Sequence, residues 1–195
     1  NMNSMIEPLW QGTLAGTLPP TWPDLTVDAG QALQLEMLDR WLANGERLAG
    51  YKIGLTSGKM RDAFGPGVRP FGYILASRVH QSGDRVRLAD IGRMGVENEL
   101  VFRVGQDIFT PTATARDASM VVDRVAPGFE INQTRTGGNA SSGLRVADNL
   151  SQWGIVTGHF IPPRPNYDDL VVHLARDGDT VASVASRGHI DDHYV

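Results

Sequence analysis

The strongest constraint on the fold lies near the end of the chain, where two strand-like segments flank an Asp-Gly pair. Residues 170–175 and 180–185 are rich in aliphatic and β-branched side chains, and Asp177-Gly178 lies between them. Asp-Gly is favoured in the type I′ turn, whose twist matches that of two antiparallel strands. The pattern therefore predicts a β-hairpin, which needs further elements to build a stable core.

The rest of the chain predicts mostly short strands and two helices. Thr26 can cap a helix over 27–43, because apolar side chains recur there at helical spacing and Asn44-Gly45 follows. A shorter helix is predicted for 115–125, closed by Pro127. Strands are predicted at 48–55, 73–79, 86–88, 96–104, 129–131 and 153–157.

Gly- and Pro-rich segments mark the connections. Residues 58–72 and the Gly-, Ser- and Asn-rich residues 136–143 predict loops. Residues 1–25 carry several prolines and predict an irregular lead-in, so a single domain is expected over 26–195. Together these elements favour a β-rich α+β fold.

Composition excludes several functional classes. The net charge of −4 and the scattered Lys and Arg residues argue against nucleic acid as a partner. The chain has no cysteine, so a metal site must use oxygen or imidazole ligands. No apolar run reaches the length that crosses a bilayer, and the first residues lack a signal-peptide pattern, so we expect a cytoplasmic protein without a membrane partner.

Two glutamates share one face of the predicted strand 96–104. Side chains alternate along a strand, so Glu97 and Glu99 point the same way, with Cα atoms about 6–7 Å apart. Both carboxylates can then reach one ion, and Mg²⁺ and Mn²⁺ prefer such oxygen ligands. The alternative is a solvated strand face that also includes Arg103, and the pattern alone favours that alternative.

Glu130 lies in the short apolar segment 127–131, where an unpaired carboxylate would be costly to bury. A metal ion would satisfy this carboxylate, and so would an arginine such as Arg135. The residues alone do not favour either partner.

Lys52 lies inside the apolar strand predicted at 48–55. If it is buried, it needs a partner or a lowered pKa, and a desolvated lysine can transfer protons. If it faces outward, it needs neither. The residues after it, 54–58, supply hydroxyl groups and flexible backbone amides suited to binding a carboxylate.

Four motifs together carry a resemblance to a known family. They are Gly50-Tyr51-Lys52-Ile53-Gly54-Leu55-Thr56-Ser57, Glu97-Asn98-Glu99-Leu100, Pro127-Gly128-Phe129-Glu130-Ile131 and Ala147-Asp148-Asn149-Leu150-Ser151. Their order and spacing resemble the 2-keto-4-pentenoate hydratase and 4-oxalocrotonate decarboxylase family, within the fumarylacetoacetate hydrolase superfamily. The resemblance covers residues 24 to 189.

The resemblance implies a mixed β-sheet roll around a metal site. Glu97, Glu99 and Glu130 would hold Mg²⁺ or Mn²⁺, and Lys52 would be the catalytic residue. The substrate would be bound by the residues that complete the motifs: Leu55, Thr56, Ser57, Asp148, Asn149 and Ser151.

The implied activity is a lyase reaction, the hydration of a 2-hydroxy-2,4-dienoate to a 4-hydroxy-2-oxo acid. The alternatives are a decarboxylase of 4-oxalocrotonate-type diacids and a non-catalytic accessory subunit of such an enzyme. The family also implies homo-oligomers and association with a pathway partner enzyme. Because family members usually continue past the position of Val195, we expect a truncated or divergent member.

Overall fold

The structure is a computed structural model, which describes residues 2–190 and 192–194. Val195, on which the expectation of truncation rests, lies outside the described residues. The chain divides into two compact units. The first contains the residues up to Glu97 together with Glu130–Val156, and the second contains Asn98–Phe129 together with the residues from Thr157 onward.

Helices form one side of the first unit. Helix α1 spans Ile6–Ala15, α2 spans Val27–Ala43 and α4 spans Ser142–Ala147. Most of their buried apolar side chains pack with Leu18, which follows α1, in one cluster: Leu9, Trp10, Leu18, Leu33, Met37, Leu144 and Ala147. Helices α2 and α4 approach so closely at Gly30 that a Cβ atom there would lie 2.0 Å from the carbonyl oxygen of Gly143. Only glycine fits at this crossing.

The predicted helix over 27–43 is confirmed with the same bounds, and the Thr26 hydroxyl accepts a hydrogen bond from the Ala29 amide at 3.2 Å. The prediction of an irregular segment for residues 1–25 is wrong for Ile6–Ala15, which forms α1. Proline is tolerated in the first turn of a helix, and Pro8 lies there. The loop predicted at 136–143 is also wrong in part, because Ser141 caps α4 by accepting from the Leu144 amide.

Two antiparallel strands follow α2 in the first unit. Strand β1 spans Leu48–Ile53 and β2 spans Phe71–Leu75, with Lys52 opposite Gly72. The strand predicted at 73–79 therefore begins earlier and ends at Leu75. A 3-10 turn, Ala76–Arg78, separates it from β3, Val79–Gln81.

A four-stranded sheet has the order β3-β6-β5-β4. Strand β4 spans Met94–Val104, β5 spans Val122–Gln133 and β6 spans Gln152–Thr157. The predicted strands 96–104, 129–131 and 153–157 are thus confirmed, each as part of a longer strand. The strand predicted at 86–88 is wrong, because only a 3-10 turn forms there, at Leu88–Asp90.

The predicted helix over 115–125 is correct only in its first part. Helix α3 spans Ala115–Val121 and begins with a capping box between Thr114 and Asp117. The chain then turns directly into β5, which runs through Pro127. The amide of Val125 donates to Ile161 at 2.9 Å, so backbone pairing outweighs the helical periodicity of these β-branched residues.

The predicted hairpin is confirmed in the second unit. Strand β7 spans Val171–Arg176 and pairs with β8, Asp179–Ala185. Asp177 and Gly178 both have positive φ, 54° and 91°, as the type I′ turn requires. The whole chain is thus a mixed α+β protein with short sheets and few helices, as predicted. Among the described residues, no helix is long and apolar enough to cross a membrane.

Candidate metal centre

Three carboxylates converge where β4 and β5 lie side by side in the sheet. Each of Glu97, Glu99 and Glu130 offers an oxygen atom, and these oxygens all lie within 4.8 Å of one another. Glu97 is exposed, Glu99 is partly buried, and Glu130 is only 2% exposed. Alternation along β4 brings Glu97 and Glu99 to one face, and pairing with β5 adds Glu130.

Lys52 forms an ion pair with Glu130. Its Nζ atom lies 3.0 Å from Oε1 and donates a hydrogen bond to Oε2 at 3.2 Å. Both side chains are largely buried, with 16% and 3% of their surfaces exposed. The sequence left the partner of Glu130 open, and the structure shows that Lys52 is one such partner. The Lys52 side chain therefore points into the protein and not to solvent.

The electrostatics of Glu130 favour a cation beside it. Burial raises the pKa of the Glu130 carboxyl above its usual 4.5, and the Glu97 carboxylate raises it further, while Lys52 opposes both effects. A single ammonium group therefore does not fully compensate two neighbouring carboxylates and the loss of solvent. A divalent cation would add the missing positive charge.

The donor set fits a hard divalent cation. Three carboxylates without sulfur or imidazole ligands suit Mg²⁺ or Mn²⁺, and such ions keep further positions for water or substrate oxygens. Glu97 is the exposed member of the cluster, so such a ligand can enter from its side. That these three residues bind a metal ion remains a prediction, and their convergence supports it.

The segment after Lys52 turns sharply away from β1. The Gly54 amide donates to the carbonyl of Pro70 at 2.8 Å, and Leu55 adopts a positive φ of 55°. Thr56 and Ser57 follow with partly buried side chains. This segment thus begins directly at the end of the strand that carries Lys52, and its role in binding substrate remains a prediction.

Asp148 and Asn149, which were also predicted to bind substrate, are engaged in buried contacts. Asp148 accepts a hydrogen bond from Arg135 Nε at 2.7 Å, and burial raises the pKa of its carboxyl while Arg135 lowers it. Asn149 accepts from the Tyr73 amide at 2.8 Å and donates to the Tyr73 carbonyl at 2.9 Å. Arg135 therefore pairs with Asp148 rather than with Glu130.

A small cavity of about 10 Å³ lies beside these contacts, lined in part by Arg78, Trp153, Asp148 and Gln152. Among the described residues, Asp148 Oδ2 and Gln152 Nε2 are buried without a hydrogen-bond partner. A cavity of this size has room for one water, which can accept from the amide and donate to the carboxylate. Burial also lowers the pKa of Arg78 to about 10.

The sequence did not indicate the buried amides that complete this network. Gln133 Oε1 accepts from Arg135 Nη1 at 2.8 Å, and Gln34 donates to the carbonyls of Phe71 and Val146. Both glutamines occupy positions that face the core of an amphipathic element, α2 or β5, which is the signal that could have identified them.

Comparison with known proteins places the chain among hydratases. No family model matches it. A 2-keto-4-pentenoate hydratase from Paraburkholderia xenovorans (strain LB400) is 31% identical over 185 residues, which are 93% of this chain and 69% of that protein. A 2-hydroxyhexa-2,4-dienoate hydratase from Comamonas testosteroni is 28% identical over 193 residues, covering 95% of this chain and 73% of that protein.

Among solved structures, the 4-oxalocrotonate decarboxylase from Pseudomonas putida G7, complexed with magnesium and adipate, matches with a TM-score of 0.83. The two are 21% identical, and the match covers 94% of this chain and 73% of that chain, so it establishes a shared fold. Fold and acidic cluster together define an α+β protein with a candidate divalent-cation site. The chain belongs to the 2-keto-4-pentenoate hydratase family, which confirms the resemblance seen in its motifs.

Proposed function

We propose that this protein is a metal-dependent hydro-lyase that adds water to a 2-hydroxy-2,4-dienoate and releases a 4-hydroxy-2-oxo acid. The observation that carries the proposal is the convergence of three carboxylates within 4.8 Å beside the buried Lys52, in a chain of the hydratase family. Mg²⁺ or Mn²⁺ is the proposed cofactor.

Glu97, Glu99 and Glu130 would hold the cation, with Glu130 as the buried ligand. When bound, the cation would supply an electrophile that attracts the carboxylate and keto oxygens of a 2-oxo acid and stabilises negative charge on the keto oxygen. The remaining steps fall to the protein side chains.

Lys52 is the proposed proton carrier, because its Nζ atom is held 3.0 Å from Glu130 at the edge of the acidic cluster. Hydration of 2-hydroxypenta-2,4-dienoate requires a proton from the 2-hydroxyl group to move to carbon 5, which gives a conjugated 2-oxo acid. Water then adds, with hydroxyl bonding to carbon 4 and a proton to carbon 3. Lys52 is the proposed group that donates such a proton and takes one up again, because its Nζ atom lies beside the acidic cluster.

Leu55, Thr56, Ser57 and Ser151 are proposed to orient the substrate or the attacking water. The hydroxyl groups of Thr56, Ser57 and Ser151 can donate to a carboxylate and accept from a water. All three side chains are partly buried, which limits competing contacts with bulk solvent.

The finer features implied by the family are also part of the proposal. They are a fumarylacetoacetate hydrolase-like roll, a homo-oligomeric assembly and a cytoplasmic location. The TM-score of 0.83 to the decarboxylase supports a fold of this kind.

The proposal is tested by following the loss of dienoate absorbance after removal of metal with EDTA and readdition of Mg²⁺ or Mn²⁺. We expect turnover only with metal, and a loss of at least about 100-fold in Glu97→Gln and Glu130→Gln. Glu36→Gln is the matched control, because Glu36 is an exposed carboxylate on α2. Metal-independent turnover would refute the proposal.

The same samples separate the alternative activities. Release of CO₂ from a 4-oxalocrotonate-type diacid, without dienoate hydration, would assign the decarboxylase reaction. Full turnover by a single purified species would exclude a non-catalytic accessory subunit.

A further inference from the structure

Three consecutive residues adopt the left-handed backbone conformation without a glycine among them. Asn149, Leu150 and Ser151 have φ values of 56°, 52° and 61°. This conformation is unfavourable for residues with a Cβ atom, and such residues occur in it singly rather than in runs. A run of three persists only where surrounding contacts determine it, and such strain is concentrated at functional sites.

Arg135 holds both ends of this left-handed turn. Its guanidinium donates to Oδ1 and to the carbonyl of Asp148, at 2.7 and 2.8 Å, just before the turn. The same group donates to the carbonyl of Gln152 at 3.4 Å, just after the turn. Arg135 is 4% exposed, and only a planar guanidinium can make this set of directed bonds at once.

The turn is also fixed against the strand pair that carries Lys52. The side-chain amide of Asn149 makes two hydrogen bonds, both to the backbone of Tyr73. Tyr73 follows Gly72, which lies opposite Lys52 in the strand pair. A Cβ atom at Gly72 would lie 2.8 Å from Asn149 Oδ1, so only glycine permits this approach.

Leu150, the middle residue of the turn, closely approaches Gly54, the residue directly after β1. The Leu150 Cδ1 atom lies 3.1 Å from the position of a Cβ atom at Gly54. Gly54 follows β1 and precedes the segment proposed to bind substrate. The turn therefore touches both the strand opposite Lys52 and the beginning of that segment.

We propose that Arg135 is a positioning residue. By binding Asp148 and Gln152, it fixes the left-handed turn between them and so sets the substrate-binding residues against Lys52. This inference rests on the proposed function and deepens it. Asp148 and Asn149 then act through the turn, because their buried polar groups hold Arg135 and Tyr73, while Ser151 presents its hydroxyl group to the substrate.

The first test is Arg135→Lys, which keeps the charge but cannot hold Asp148 and Gln152 together. We expect kcat/KM for the dienoate to fall by up to about 100-fold, as for a misplaced reacting group. The Kd for Mn²⁺ should stay near the wild-type value, because Arg135 does not contact Glu130. Leu9→Ala is the control: it destabilises the helical core and should lower Tm without changing kcat/KM.

A rescue variant separates positioning from general stability. Asparagine tolerates the left-handed conformation better than leucine and has nearly the same shape, so Leu150→Asn lowers the cost of the turn. In the Arg135→Lys background it should restore at least part of kcat/KM. Unchanged activity in Arg135→Lys, or failure of Leu150→Asn to restore any of the loss, would overturn the inference.

A readout without turnover distinguishes this inference from the proposed function. Amide hydrogen exchange of Tyr73 should quicken by at least about tenfold in Arg135→Lys, while Val172 in the hairpin stays unchanged. Binding of 2-oxopentanoate with Mn²⁺ should weaken in parallel. If the wild type hydrates no dienoate, the proposed function fails. The 2-oxopentanoate affinity and the exchange rate then decide the role of Arg135, and no change in either would overturn it.

Discussion

Removing the ammonium group of Lys52 should destabilise the metal-free protein far more than the metal-bound protein. In Lys52→Met, Glu130 keeps its buried position but loses the partner at 3.0 Å. Truncating one partner of a buried ion pair costs about 3–5 kcal/mol, because the other charge remains uncompensated. Lys52 retains 16% exposure, so the lower end, about 3 kcal/mol, is expected.

For a chain of this size, a loss of about 3 kcal/mol lowers Tm by roughly 6–12 °C. The assay is thermal unfolding followed by tryptophan fluorescence, in EDTA and then in excess Mn²⁺. The matched control is Lys59→Met, since Lys59 is exposed in the loop before β2. Equal Tm values for the two variants in EDTA, or an equal loss with and without Mn²⁺, would refute the reasoning.

Two further predictions concern the acidic cluster and the turn. Burial holds the pKa of Glu130 above 4.5, so below this pKa Mn²⁺ must displace a proton from the carboxyl group in order to bind. The Mn²⁺ affinity measured by calorimetry should therefore fall as the pH is lowered through that pKa. An affinity that is constant down to pH 4.5 would contradict this. Gly72→Ala should lower the free energy of unfolding by about 1–3 kcal/mol in urea titrations, because its Cβ atom would lie 2.8 Å from Asn149 Oδ1. Gly50→Ala in the preceding strand is the control and should show no such loss, since nothing lies within 4 Å of that Cβ position.

The elements with a clear periodicity were predictable from the sequence. Helix α2 has a capping threonine and a regular apolar face, and the hairpin has an Asp-Gly turn, so both could be placed within a residue or two. Alternation along β4 likewise brought Glu97 and Glu99 to one face. In these cases local pattern and tertiary structure agree.

The errors fall where composition and tertiary contacts disagree. Helix α1 contains a proline and a glycine, yet Gly12 is needed because Leu18 would lie 2.4 Å from its Cβ atom. Pro127 suggested a helix end but lies inside β5, where strand pairing decides the conformation. Local composition could not reveal either packing contact.

The three carboxylates of the candidate site were predictable from the sequence, but the residues that pair with them were not. Glu130 required a counter-charge, and which residue supplies it depends on tertiary packing. The side chain of Lys52, on β1, reaches Glu130 on β5, and Arg135 pairs with Asp148 instead. The left-handed turn had only a weak signal, because it contains no glycine and Asn149 alone is of a type that favours this conformation. Its conformation follows from Arg135 and Tyr73, which are distant in sequence.

The proposed site makes Lys52 and a divalent cation competing partners of one buried carboxylate, Glu130, and this competition has a measurable consequence. A ligand that stabilises the folded state does so by an amount that grows with its affinity. If Mn²⁺ restores more stability to Lys52→Met than it adds to the wild type, it must bind the variant more tightly, by about tenfold for each 1.4 kcal/mol. Calorimetry should therefore give a lower Kd for Mn²⁺ in Lys52→Met than in the wild type or in Lys59→Met. An equal or higher Kd would mean that the ammonium group does not oppose the cation, and that Glu130 is not the ligand they share.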